Sequence, residues 1–140
     1  MRKRTRGREL ALKILYQAEI IRREIGLMTD TFWSELTRVD PTVKDFATKL
    51  TLGVKNNLTL IDEKISFYAT NWQLKRMAII DRNILRLGTF ELIFLPEIPP
   101  KVSINEYVEL AKKFGDIDSS KFVNGILDKI HKIEIVSKND

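Results

Sequence analysis

The sequence contains no cysteine and only one histidine, His131. That excludes disulfides, a thiolate metal site and a cysteine nucleophile, and one histidine cannot fill a zinc shell. His131 stands beside lysines near the C-terminus and reads as a solvated or helix-end residue. No apolar run approaches the roughly 20 residues needed to cross a bilayer. The six glycines are scattered, mostly where helices should end, so no loop cradles a phosphate. Sustained apolar–polar alternation with turn signals is missing, as are repeats and low-complexity tracts. Asp116 and Asp118 stand two apart, but without further carboxylates at matching spacing they read as helix caps rather than a metal loop. No enzyme active site, cofactor or metal is expected. The lack of cysteine suits a cytoplasmic location without requiring one.

What the chain does have is positive charge, gathered at one end. It carries 24 Lys+Arg against 19 Asp+Glu, a net charge of +5 over 140 residues. In MRKRTRGREL five of the first eight residues are cationic: Arg2, Lys3, Arg4, Arg6 and Arg8. Removing them leaves 19 against 19. The residues that follow, ELALKILYQAEIIRREIG, mix apolar and charged positions, unlike a secretory core, and Glu9, Glu19 and Glu24 argue against a mitochondrial leader. The basic segment is therefore expected in the mature protein. Solubility does not require charges to be gathered in so short a stretch, and the arginine fork suits phosphate oxygens. A polyanion should bind there in a salt-dependent way. On a helical wheel Arg4, Arg8 and Arg22 flank the apolar stripe, while Arg6 and Lys13 lie on the polar side. Tyr16 borders that polar face, where an unpaired base could stack on it. The acids on the same face speak against a membrane surface, and no recognition-helix pattern of the usual DNA readers is present.

Helical periodicity runs through nearly the whole chain. Leu10, Ala11, Ile14, Leu15, Ala18, Ile21 and Ile25 share one face, and Gly26 is expected to stop that helix. A short amphipathic piece carries Phe32, Trp33 and Leu36. Asp40-Pro41 then gives an acidic N-cap followed by proline at the first helical position. The stripe from Val43 through Leu50, Val54 and Ile61 to Tyr68 predicts one helix of roughly 30 residues. Leu74 to Leu95 is apolar on most sides, as a central buried helix would be, and the PEIPP stretch breaks it. Ser103 with Glu106 forms a capping box for a helix that ends at Gly115. Asp118, Ser119 or Ser120 caps a last helix, with Phe122, Val123, Ile126, Leu127 and Ile130 on its apolar face. The expected fold is all-α: one domain over residues 1–140 with six or seven helices, comprising an N-terminal helical subdomain at 1–71 and a C-terminal one at 72–140.

The stretch IPPKVSINEYVELAKKFGDIDSSKFVNGILDKI, Ile98 to Ile130, resembles the C-terminal signature of the NusB family of bacterial transcription antitermination factors. Its INE–ELAKKFG–KFVNG–LDK string is long and specific. The start fits as well, with an arginine-rich lead followed by Glu9, Ala11 and Leu15-Tyr16. So does the middle, where Asp81-Arg82 precede Ile84-Leu85-Arg86 and Phe90-Glu91-Leu92. The resemblance covers essentially the whole chain. It implies two small helical bundles packed across each other. It also implies binding of the single-stranded boxA element of nascent RNA together with NusE, a ribosomal protein of the small subunit. That assembly belongs to the RNA polymerase antitermination complex and promotes read-through, notably of ribosomal RNA operons. A related domain occurs fused to RNA methyltransferases, but no residues are expected to remain here for a catalytic domain. Thr5 and Gly7 interrupt an arginine block that is often contiguous in the family, which leaves open which arginine takes which phosphate.

The RNA contacts expected from these two lines are Arg2, Lys3, Arg4, Arg6, Arg8, Lys13 and Tyr16 at the start, with Lys121, Phe122 and Asn124 on the last helix. Lys121 and Asn124 are three apart, hence on one face, where the first can take a phosphate and the second a base edge. Phe122 reads either as core or as a stacking residue. Gly125 costs roughly 1 kcal/mol in a helix relative to alanine, so close approach by another helix or by RNA is expected there. Asp81, Arg82 and Glu91 are candidate docking residues for NusE. Two readings follow. In one, the basic N-terminus and the last helix clamp an RNA strand. In the other, the chain is a helical interaction module that mainly docks NusE, with RNA held chiefly by that partner. A homodimer that hides the RNA surface stays open at this stage.

Overall fold

The computed structural model describes residues 2–136, so residues 1 and 137–140 of the expected domain lie outside the described residues. Seven α-helices and no strand occur among the described residues, which makes the fold all-α. The chain divides into two units, Met1–Asn56 and Asn57–Asp140.

The first unit holds α1 (Lys3–Ile20), α2 (Ile25–Glu35) and α3 (Pro41–Asn56). Its core is the apolar stripe of α1, with Ala11, Ile14, Leu15 and Ala18 buried beside Met28, Phe32, Val43, Ala47, Leu50 and Val54. Asp40 caps α3 as its sequence position predicts: Oδ1 accepts from the Thr42 amide at 2.8 Å and the Val43 amide at 3.4 Å. Gly26 does not end α1. The helix closes earlier, where the Arg23 amide donates to the Ala18 carbonyl at 2.9 Å and Arg22 adopts φ 55°, leaving Gly26 inside α2. An arginine takes the left-handed turn that glycine usually supplies, so the residue type alone misleads.

The second unit comprises α4 (Leu58–Tyr68), a 3-10 turn (Leu74–Arg76), α5 (Ile79–Phe94), α6 (Pro100–Phe114), α7 (Ser119–Ile130) and a π-helical turn (His131–Val136). Helix α5 is the central one, packing on α4, α6 and α7. A Cβ at Gly88 of α5 would stand 2.8 Å from Leu127 Cδ1, so glycine is what lets α5 and α7 approach. Arg86 clasps Asp62 of α4 through Nε at 2.9 Å and Nη2 at 3.0 Å. Glu134 of the π-helical turn takes a hydrogen bond from the Tyr68 hydroxyl and pairs with Lys64 at 2.8 Å, tying that turn to α4. Burial first, and then this carboxylate, push the Tyr68 pKa up to about 12.

The single helix expected through Val43–Tyr68 is two, broken at Asn57, whose φ −126° and ψ 21° lie outside the helical region. The apolar period continues across the break, which is why periodicity alone merges them; Asn56 and Asn57 are both poor helix formers. Nor do Ser103 and Glu106 open α6. That helix starts at Pro100, and Ser103, one turn inside, is buried and spends its hydroxyl elsewhere.

Candidate nucleic-acid interface

In the first unit, α1 carries the cationic lead and is held by α3. Gly7 makes the contact close: a Cβ there would stand 2.9 Å from Phe46 Cδ2 and 3.4 Å from the Val43 carbonyl oxygen. The glycine that interrupts the arginine block is thus a packing requirement. The guanidiniums of Arg4 and Arg8 both lie 5.4 Å from the Phe46 ring centroid. They differ in exposure, Arg4 being open and Arg8 only 1% exposed. This corrects the expected role of Arg8: a guanidinium withdrawn from solvent and laid on a ring braces α1 and is not presented to a phosphate.

The remaining cations of the lead are accessible in differing degree. Arg2 and Arg4 are exposed, and Lys3 pairs with Asp40 at 3.3 Å in an exposed, weak bridge. Glu9 is 4% exposed and draws in Arg6 at 3.7 Å and Lys13 at 3.8 Å, which are half-buried. Tyr16 is exposed on α1. No acid occupies the first turn of α1. Cations there oppose the helix dipole, at about 0.3–1 kcal/mol each at low salt. The arrangement strains the helix and builds positive potential, which a polyanion would relieve. Residues 1–56 hold twelve Lys and Arg against seven Asp and Glu, while residues 57–140 hold twelve against twelve. All of the net charge is therefore in the first unit.

The second unit offers a different surface. Along α7, Val123, Ile126, Leu127 and Ile130 point inward, leaving Lys121, Asn124 and Gly125 exposed. A Cβ on Gly125 would meet nothing within 4 Å, so helix packing does not explain this glycine. Phe122 is half-buried and meets the exposed Trp72 edge to face, with centroids 5.8 Å apart. Sequence reasoning passed over Trp72, although an indole between Asn71 and Gln73, outside every apolar stripe, was the available signal.

The three expected docking residues divide. Glu91 is fully buried, accepting from Ser103 Oγ at 2.9 Å and from the Tyr107 hydroxyl. That corrects its expected role, since a carboxylate with no accessible surface joins α5 to α6 and cannot meet a partner. Arg82 is half-buried and donates to the Met77 carbonyl at 2.9 Å, bracing the 3-10 turn. Asp81 is half-buried in the first turn of α5, with Oδ1 unpartnered among the described residues. Burial raises its pKa above the usual carboxylate value, a hydrogen bond from Ser119 opposes that, and Asp116 adds to it. Among the described residues no His, Asp or Glu grouping could hold a metal ion, and no helix is long and apolar enough to cross a membrane.

Comparison with known proteins completes this picture. The NusB family model matches residues 5–132. Over 130 residues the chain is 48% identical to the transcription antitermination protein NusB of Myxococcus xanthus (strain DK1622), covering 91% of this chain and 93% of that protein. The structure of T. maritima NusB matches with a TM-score of 0.86 at 40% identity, over 93% of this chain and 91% of that one. A crystal structure of antitermination factors NusB and NusE in complex with dsRNA contains a chain with a TM-score of 0.84 at 31% identity. There the match covers 94% of this chain and 98% of the other.

Proposed function

The chain belongs to the NusB family, and from that premise we propose that it is a transcription antitermination factor that binds single-stranded boxA-type RNA together with NusE. Bound so, it promotes read-through by RNA polymerase, notably in ribosomal RNA operons. The observation that carries the RNA half is the acid-free, arginine-rich first turn of α1 in the unit that holds all of the net charge. Each unit supplies its own contacts. Arg2, Lys3, Arg4 and Arg6, with Lys13 and Tyr16 further along α1, serve phosphates and one stacked base. On α7, Lys121 takes a phosphate, Asn124 a base edge and Phe122 a base face.

The test is a filter-binding titration of boxA-type RNA with and without NusE at two salt concentrations. Substituting Arg2, Lys3, Arg4 and Arg6 by glutamine leaves the packing residues Gly7 and Arg8 in place. The variant should bind more weakly, and its salt slope should fall by about 0.7 for each phosphate no longer neutralised. Unchanged affinity and slope would refute the role of the lead.

A second reading is favoured by the ion pairs on α1. Lys3, Arg6 and Lys13 already face their own carboxylates. That weakens their pull on RNA, as expected of a module that mainly docks NusE while the partner grips the strand. Of the expected docking residues only Asp81 and Arg82 are then available. Negligible RNA binding by the chain alone, restored by NusE, selects this reading.

A further inference from the structure

Three cations of α1 are drawn toward carboxylates, Lys3 to Asp40 and both Arg6 and Lys13 to Glu9. Arg4 is held differently. Its exposed guanidinium stands 5.4 Å from the Phe46 ring centroid, and among the described residues it pairs with no carboxylate. The difference matters for a phosphate ligand. A carboxylate takes up the N–H donors of a guanidinium, whereas a ring restrains the cation through its charge and leaves the donors for another acceptor. A restrained arginine also has less rotamer freedom left to lose when a phosphate arrives.

The ring is itself well fixed. Phe46 is half-buried on α3, and Gly7, three residues after Arg4 and so on the same side of α1, lets it close on that helix. A Cβ on Gly7 would stand 2.9 Å from Phe46 Cδ2 and 3.5 Å from Phe46 Cβ. Arg8, buried one turn beyond Arg4, lies at the same 5.4 Å from the ring centroid. One ring thus carries two guanidiniums, the buried one bracing the scaffold and the exposed one open to a ligand.

We propose that Phe46 is a positioning residue for RNA, acting through Arg4: it holds that guanidinium in place with its N–H donors left for a backbone phosphate. This rests on the RNA-binding reading above and adds to it an uncharged residue of α3 that need not touch the strand. It also orders the contacts. Lys3, Arg6 and Lys13 must leave a carboxylate to reach RNA, and Arg4 need not.

The test is a double-mutant cycle on the full chain with NusE present, read by filter binding of single-stranded boxA-type RNA. Phe46→Leu keeps an apolar side chain beside Gly7 and removes the ring. It should weaken binding about three- to fivefold, the scale of one exposed cation–π contact. Phe46→Tyr should bind like the unsubstituted chain. In an Arg4→Gln background, Phe46→Leu should cost no further affinity. An equal loss with and without Arg4 overturns the proposal and leaves the ring as packing between α1 and α3; unchanged affinity of Phe46→Leu overturns it too. If circular dichroism shows Phe46→Leu unfolded, nitrogen relaxation of the Arg4 Nε–H in the RNA-free, unsubstituted chain decides. Order close to that of Arg8 upholds the positioning role, and mobility matching that of the exposed Arg2 overturns it. Should the unsubstituted chain bind no RNA even with NusE, the functional reading falls and the role of Phe46 with it.

Discussion

Arg8 in the first unit and Glu91 in the second are both charged, both withdrawn from solvent, and both embedded in stretches that look functional in sequence. The two units accommodate them differently. Arg8 lies on the Phe46 ring, brought there by the close α1–α3 packing that Gly7 permits. Glu91 is met by hydroxyls of α6, those of Ser103 and Tyr107. Around these fixed points the surfaces diverge. The first unit holds the whole net charge and so acts at long range, on encounter and salt dependence. The second is neutral by count and offers a bare helix face and an aromatic corner, groups that act only on touching a ligand. Burial, not residue type, separates the charges that build the scaffold from those that meet a ligand.

The largest effect expected is at Glu91. Glu91→Ala leaves two buried hydroxyls without their acceptor and should lower stability by about 3 kcal/mol, read from urea denaturation. NusE affinity, measured where the variant is still folded, should not move. A variant of unchanged stability that has lost NusE would return Glu91 to the docking surface and break the comparison. Next in size is Arg8. Arg8→Gln removes the ring interaction and the packing of the long side chain, which should cost about 2 kcal/mol while leaving the salt slope of RNA binding unchanged. Arg4→Gln should do the reverse, lowering the slope at nearly constant stability. If Arg8→Gln alters the slope as Arg4→Gln does, the division between buried brace and exposed phosphate ligand fails.

Much of this was legible in the sequence where local chemistry decides. Apolar spacing marked the stripes of α1, α3 and α7, Asp40-Pro41 marked a start, and Gly115 marked an end. The signature from Ile98 to Ile130 marked the family. What the sequence could not show depended on neighbours distant along the chain. Arg8 reads as one more cation until Phe46 is placed beside it, and Ser103 reads as a cap until Glu91 faces it. The break at Asn57 is hidden because the apolar period runs through it. Trp72 was overlooked for the opposite reason: it lies in no stripe, and only its meeting with Phe122 gives it a place in a site.

The smallest effect tests the ligand-facing side of the second unit most directly. Gly125 sits mid-helix in α7 with open space where its Cβ would be, so Gly125→Ala meets no clash and should raise stability by about 1 kcal/mol. The helix evidently forgoes that gain. If the bare backbone is there to let the strand pass closely beside Lys121 and Asn124, the added methyl should weaken RNA binding several-fold even as the protein becomes more stable. Lys121→Ala, in contrast, should leave stability nearly constant and lower the salt slope by about 0.7. Opposite signs in melting and binding for Gly125→Ala would mark a position set by a ligand rather than by the fold. A gain in stability with unchanged RNA affinity would leave this glycine without a role on that face and confine the second unit's share to its aromatic corner and Lys121.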